Sequence, residues 1–152
     1  MENFDNHKKS ESKKNWLFAF LFVLLVAIDQ LSKASARNIF INKQFAFSLP
    51  LPVFLMYAIY FTVLAGLAYY VAKHYRVFSA AERWAFALIF AGALSNVVER
   101  IVLGYVRDFI YIIFYHWVGV YNLADGYIIL GILILIWSPF GKKRRPDGIG
   151  VN

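Results

Sequence analysis

The stretch VFLMYAIYFTVLAGLAYYVA at positions 53–72 holds 20 consecutive uncharged residues, and its reading decides the fold. About 20 mostly apolar residues in a helix are enough to cross the hydrocarbon of a bilayer. A helix satisfies its own backbone polar groups there, as lipid requires. Upstream, residues 16–28 are apolar, and a helix over 15–36 spans if Asp29 and Lys33 lie near its far end. Downstream, residues 84–98 are uncharged until Glu99 and Arg100. Residues 126–141 are short for a fourth span, so extending it back to Val118 and through Asp125 is expected to supply the missing turns. The pattern predicts an all-α polytopic membrane protein of four transmembrane helices.

Composition agrees with this reading. In 152 residues, 61% are hydrophobic and 16% charged, far from the mix of a water-soluble domain. The net charge of +7 comes from short basic clusters beside the apolar runs, not from one basic face, so membrane topology explains it better than nucleic acid. With no cysteine there is no disulfide framework, thiolate site or cysteine nucleophile. His7, His74 and His116 are isolated from one another, which argues against zinc, and no cofactor is expected. The 10 tyrosines and 15 phenylalanines are read as lipid contact and packing, not as a cofactor box.

Of the Lys and Arg residues, eleven fall on one side of the four spans and five on the other, namely Lys33, Arg37, Lys43, Arg100 and Arg107. By the positive-inside rule both termini are cytoplasmic, and the loops after the first and third spans face outward. The expected organisation is a basic tail over 1–14, a membrane domain over 15–141 and a basic tail over 142–152, with 142–145 anchoring the topology at anionic lipid. The basic start, apolar run and Ala34-Ser35-Ala36 also resemble a cleavable signal peptide, but Asp29 and Lys33 make a charged approach to such a site, so an uncleaved span is expected. Short strands are expected in the outer loops, around 44–48 and in the β-branched, aromatic run 106–114. Pro50 and Pro52 mark the start of the second span.

Charges in or beside hydrocarbon are disfavoured by roughly 2.5–3.5 kcal/mol each, so each needs a reason. Asp29 and Lys33 lie one turn apart with the acid first, the better order for a helical ion pair. Asn96, Glu99 and Arg100 stand at i, i+3 and i+4, which puts an amide, a carboxylate and a guanidinium on one face. Arg100 either fixes a carboxylate or peptide carbonyl with its planar fork or reaches to the headgroups, balanced by Glu99. Asn122 and Asp125 share a face at the start of the last span, where helix capping and chemistry are both open roles. Asp108 beside Arg107 reads as a solvated loop acid or as half of a pair with Asp125. Two carboxylates brought together cannot easily both ionise, which would make a general acid and a general base from one residue type.

At this point the residues resemble a known family, the lipoprotein signal peptidases (signal peptidase II). Asp29-Gln30-Leu31-Ser32-Lys33 is similar to its Asp-Gln-x-Ser/Thr-Lys motif, and Asn42-Lys43-Gln44-Phe45-Ala46-Phe47-Ser48 to its Asn-x-Gly-x-Ala-Phe-Ser segment. Gly92 to Arg100 follows its Gly-x-x-Gly-Asn-x-x-Asp-Arg element, Asp108 comes nine residues after Glu99, and Asn122-Leu123-Ala124-Asp125 resembles its Asn-x-Ala-Asp block. Five short motifs in order are far more specific than any one of them. The resemblance departs at Gln44 and Ser95, each in place of glycine, and at Glu99 in place of aspartate.

The resemblance implies an aspartic endopeptidase of the bacterial inner membrane that removes signal peptides from diacylglyceryl-modified prolipoproteins, just before the lipidated cysteine. It implies a catalytic pair at Asp108 and Asp125, with Asn42, Asn96, Arg100 and Asn122 supporting it or binding substrate. Asp29, Lys33 and Glu99 are expected to support the site. The implied partners are the lipidated substrate and membrane lipids, and the chain is expected to be a monomer. Two other readings stand beside this one: a noncatalytic lipoprotein-binding paralogue, suggested by the departures, and a small proton-coupled transporter. Charges gathered toward one membrane face, not at the midplane, favour the peptidase over the transporter.

Overall fold

The computed structural model describes residues 2–43 and 51–138 and contains four helices: α1 (Glu2–Ser35), α2 (Val53–His74), α3 (Ala80–Leu103) and α4 (Leu123–Trp137). Four short strands lie in the two connections at one end of the bundle: β1 (Phe40–Asn42), β2 (Val106–Asp108), β3 (Ile110–Phe114) and β4 (Trp117–Tyr121). Because successive helices alternate in direction, this end gathers the C-terminal turns of α1 and α3 with the N-terminal turns of α2 and α4. It is the end where the sequence concentrates acids and amides.

The fold is inside out relative to a soluble bundle. α2 and α3 are each long and apolar enough to cross a bilayer. Phe54 and Phe61 of α2, Val98 and Val102 of α3 and Ile136 of α4 are exposed, as lipid-facing residues should be. Asp29, Lys33, Ser95, Asn96, Glu99, Arg100, Asp108 and Asn122 are buried. In hydrocarbon this distribution is the stable one, since polar groups satisfy one another inside and apolar ones lose nothing outside.

Small residues set the tightest contact, between α3 and α4. A Cβ at Gly92 would stand 2.3 Å from the Ala124 carbonyl oxygen, so only glycine lets the two backbones approach this closely. At the other end, Phe78 stacks on Phe86 with centroids 4.9 Å apart and Tyr70 lies 5.8 Å from Phe78, closing the α2–α3 turn. Ser79 and Glu82 form a reciprocal capping box at the start of α3. Gly104 ends α3 in a left-handed conformation, φ 80°, with its N–H bonded to the Arg100 carbonyl.

One sequence expectation is corrected here. The last span does not extend back to Val118: residues 117–121 form β4, antiparallel to β3 with Phe114 opposite Trp117, and α4 starts only after Asn122. β-branched and aromatic residues favour the strand, and the two-residue turn is made possible by Tyr115 at φ 55°. The segment read as a basic tail continues the first helix, which begins at Glu2. In the first outer loop the described strand is β1, while residues 44–48, Pro50 and the basic stretch 142–152 lie outside the described residues. β1 pairs antiparallel with β2, Phe40 opposite Asp108, and so ties the two outer connections together.

Candidate active site

The polar interior resolves into two adjoining clusters. The first is built on Lys33, which is 0% exposed. Its Nζ donates to Asn96 Oδ1 at 2.9 Å and forms ion pairs with Asp29 Oδ2 and Glu99 Oε2, each 2.8 Å away. Asp29 is equally enclosed: Oδ2 also accepts from Ser95 Oγ at 2.7 Å, and Oδ1 accepts from the Ala124 backbone N–H at 2.9 Å. That last bond satisfies a free donor in the first turn of α4 and puts negative charge at its positive end. Glu99 also pairs with Arg107 of β2. The helical Asp29–Lys33 pair anticipated from the sequence is present, but extended into a network linking α1, α3, α4 and β2.

The second cluster holds Asp108 and Asp125. Asn122 joins them. Its side-chain Oδ1 accepts from the Asp125 N–H at 3.0 Å and its own N–H donates to Asp125 Oδ2 at 3.1 Å, a capping box at the start of α4. The same side chain turns Nδ2 to Asp108 Oδ1 at 2.6 Å and to Asn96 Oδ1 at 3.2 Å. Asn96 Nδ2 then donates to Asp125 Oδ1 at 2.8 Å, and Asn42 Nδ2 donates to Asp108 Oδ2 at 2.9 Å. Capping and site assembly, two alternatives on sequence grounds, are one arrangement: the box fixes Asn122 and leaves its amide protons for Asp108 and Asn96.

The two acids differ in enclosure. Asp108 is 1% exposed, whereas Asp125 is only partly buried. Burial raises the pKa of Asp108 from its ordinary value; hydrogen bonds from Asn42 and Asn122 oppose this, and the nearby charge of Asp125 adds to it. Asp108 thus stands enclosed beside a second carboxylate that is more open, and two acids so placed can act as general acid and general base on a water between them.

Asp29, Lys33, Asn42, Asn96, Glu99, Asp108, Asn122 and Asp125 all meet at this end of the bundle. Arg100 is buried at the same end: its guanidinium lies over the Tyr60 ring of α2, 5.4 Å from the centroid, and its carbonyl accepts from Tyr57 Oη at 2.9 Å. The picture of Asp108 as a solvated acid beside Arg107 is corrected. Side chains of adjacent strand residues point to opposite faces, so Arg107 reaches Glu99 while Asp108 turns inward. Gln30, Arg107 and Ser95 were not marked as site residues. Gln30 Nε2 donates to Ser95 Oγ at 2.8 Å, a hydroxyl contact that the glycine usual at this motif position could not make. Among the described residues no group of His, Asp and Glu is disposed to hold a metal ion.

Comparison with known proteins agrees with the geometry. The family model described as signal peptidase (SPase) II matches residues 21–140. A lipoprotein signal peptidase from Psychromonas ingrahamii is 39% identical over 99 residues, covering 61% of this chain and 54% of that protein. One from Acinetobacter baumannii is 50% identical over 64 residues, 41% of this chain and 36% of that protein. These alignments span about half the length of the curated relatives or less. A bacterial membrane enzyme solved by the in meso method at 2.3 Å resolution superposes with a TM-score of 0.68 at 22% identity, over 90% of this chain and 94% of that one. A second, at 1.9 Å resolution, gives 0.64 at 24% identity over 79% and 90%. Those two show a shared fold, and the family match over most of the chain shows more: this protein is a member of the signal peptidase II family.

Proposed function

We propose that this protein is a membrane aspartic endopeptidase that cleaves diacylglyceryl-modified prolipoproteins before the lipidated cysteine, with Asp108 and Asp125 as its catalytic pair. The observation that carries the reading is that one residue, Asn122, holds both carboxylates: its side-chain amide donates to Asp108 Oδ1 and its backbone N–H donates to Asp125 Oδ2. Relatives named as lipoprotein signal peptidases support the substrate class. Ionised Asp125, on the open side, takes a proton from water as the oxygen attacks the scissile carbonyl, and protonated Asp108 donates to the carbonyl oxygen. Collapse of the tetrahedral intermediate returns a proton to the departing cysteine amine and restores both acids. Arg100 and the asparagines Asn42 and Asn96 hold the extended peptide, while the acyl chains stay in lipid beside the exposed apolar faces of the helices.

The peptidase domain corresponds to residues 15–141. It sits in the bacterial inner membrane with both termini cytoplasmic and the site toward the outer face, in keeping with the excess of Lys and Arg on the opposite side. Purified protein incubated with a diacylated lipobox peptide should release the signal segment, identified by mass spectrometry as a cut before the cysteine. Intact peptide after long incubation, or a cut elsewhere, would refute the assignment.

A further inference from the structure

Arg107 has no part in the chemistry above, yet it is the residue directly before Asp108, on the strand that carries that acid. Its Nε pairs with Glu99 of α3, and its Nη2 reaches Gln30 Oε1 of α1 at 3.4 Å. Glu99 is itself fixed by Lys33 at 2.8 Å and is 2% exposed, so the anchor on the helix side is rigid. On the opposite face of β2, Asp108 is held by Asn42 and Asn122 at 2.9 and 2.6 Å. β2 is only three residues long and pairs with β1, another strand of three, so its ladder gives little purchase against sliding or rotation.

We propose that Arg107 is a positioning residue: its ion pair with Glu99 pins β2 to the α1–α3 helix ends and so sets where the Asp108 carboxylate meets Asp125. The proposal rests on the assignment of Asp108 and Asp125 as the catalytic pair. A displacement of about 1 Å in a reacting group can lower turnover by about a hundredfold. Loss of the tether therefore acts on turnover rather than on substrate binding, since Arg107 lies behind the strand, turned away from Asp108.

The test measures kcat and KM for a diacylated lipobox peptide with the wild type, Arg107→Met, Arg107→Lys, Glu99→Asp and, as reference, Asp108→Asn. Arg107→Met keeps the length and apolar stem but removes the charge; its kcat should fall ten- to a hundredfold with KM within twofold. Arg107→Lys should recover at least a third of wild-type kcat, and Glu99→Asp, one methylene shorter, should fall between the two. Thermal midpoints in detergent separate misfolding from misplacement. Should Arg107→Met fail to fold, Glu99→Asp carries the comparison, and wild-type kcat in that variant overturns the tether. A wild-type kcat in folded Arg107→Met, or a raised KM at unchanged kcat, also overturns it while leaving the peptidase assignment intact if Asp108→Asn is inactive. An inactive wild type, or an active Asp108→Asn, overturns both.

Discussion

The two polar clusters at the end of the bundle lie side by side, yet they answer the problem of buried charge differently. Around Lys33, two carboxylates meet two cations: Asp29 and Glu99 share the ammonium, and Glu99 also holds Arg107. Around Asn122, two carboxylates meet amides: Asp108 accepts from Asn42 and Asn122, Asp125 from Asn96 and a backbone N–H. Ion pairing stabilises the charged form and makes a carboxylate a strut. Amide donors orient a carboxylate without supplying a full opposite charge, and a second acid beside it makes the proton easier to keep. One cluster thus joins its elements through ion pairs, and the other orients two carboxylates through amides.

The largest expected effect comes from breaking the second cluster alone. Asp108→Asn and Asp125→Asn should each lower cleavage of a diacylated lipobox peptide by roughly a thousandfold or more, the scale of losing a general acid or base. Neither should unfold the protein, because the shape is kept and at most one amide contact is lost at each site. Thermal midpoints within a few degrees of wild type would accompany the inactivity. Near-normal cleavage by either variant would erase the distinction between the clusters.

Breaking the first cluster should act on stability. Lys33→Met leaves Asp29 and Glu99 without the cation they share, and removal of one partner from a buried ion network is disfavoured by about 3–5 kcal/mol. Lower yield in detergent and a depressed thermal midpoint are the readouts, and an unchanged midpoint would show that the network is not a strut. Gly92→Val strikes both clusters through the helix contact beneath them. A side chain against the Ala124 carbonyl forces α4 from α3, which should destabilise by about 1–3 kcal/mol and loosen the bond from Asn96 to Asp125. Wild-type stability and turnover in that variant would mean that the α3–α4 spacing is not what joins the clusters.

What could be read in advance was set by periodicity and by the cost of charge in lipid. The uncharged run at 53–72 and the i, i+4 spacing of Asp29 and Lys33 are local, and both α2 and the ion pair follow from them. The start of α4 was misplaced because Val118–Tyr121 is apolar enough to belong to a span, and only its pairing with β3 decides otherwise. The capping signal at Asn122 with Asp125 three residues on was present and marks the true start. The alternative of Asp108 as a solvated loop acid beside Arg107 stayed open on sequence grounds, because only the strand, which sends neighbours to opposite sides, turns Asp108 inward. Ser95 stood out as a departure from a motif, but its bonds to Asp29 and Gln30 depend on how α1 crosses α3, which no local pattern encodes.

The smallest effect should appear as a shift in pH dependence, and it probes the amide cluster without removing an acid. Asp108 lies on β2 in the outer connection, and burial is the main cause of its raised pKa. The Asn42 amide opposes that rise, because a donor 2.9 Å from Oδ2 favours the charged carboxylate. If Asp108 works as the acid, cleavage falls as pH rises through its pKa and the proton is lost. Asn42→Ala removes one stabiliser of the charged form, so Asp108 holds its proton to higher pH. The alkaline limb of kcat against pH should then move upward while the acidic limb, set by the other member of the pair, moves less. An upward shift confined to the acidic limb would instead make Asp108 the base, assign the acid role to Asp125 and reverse the order of proton transfers.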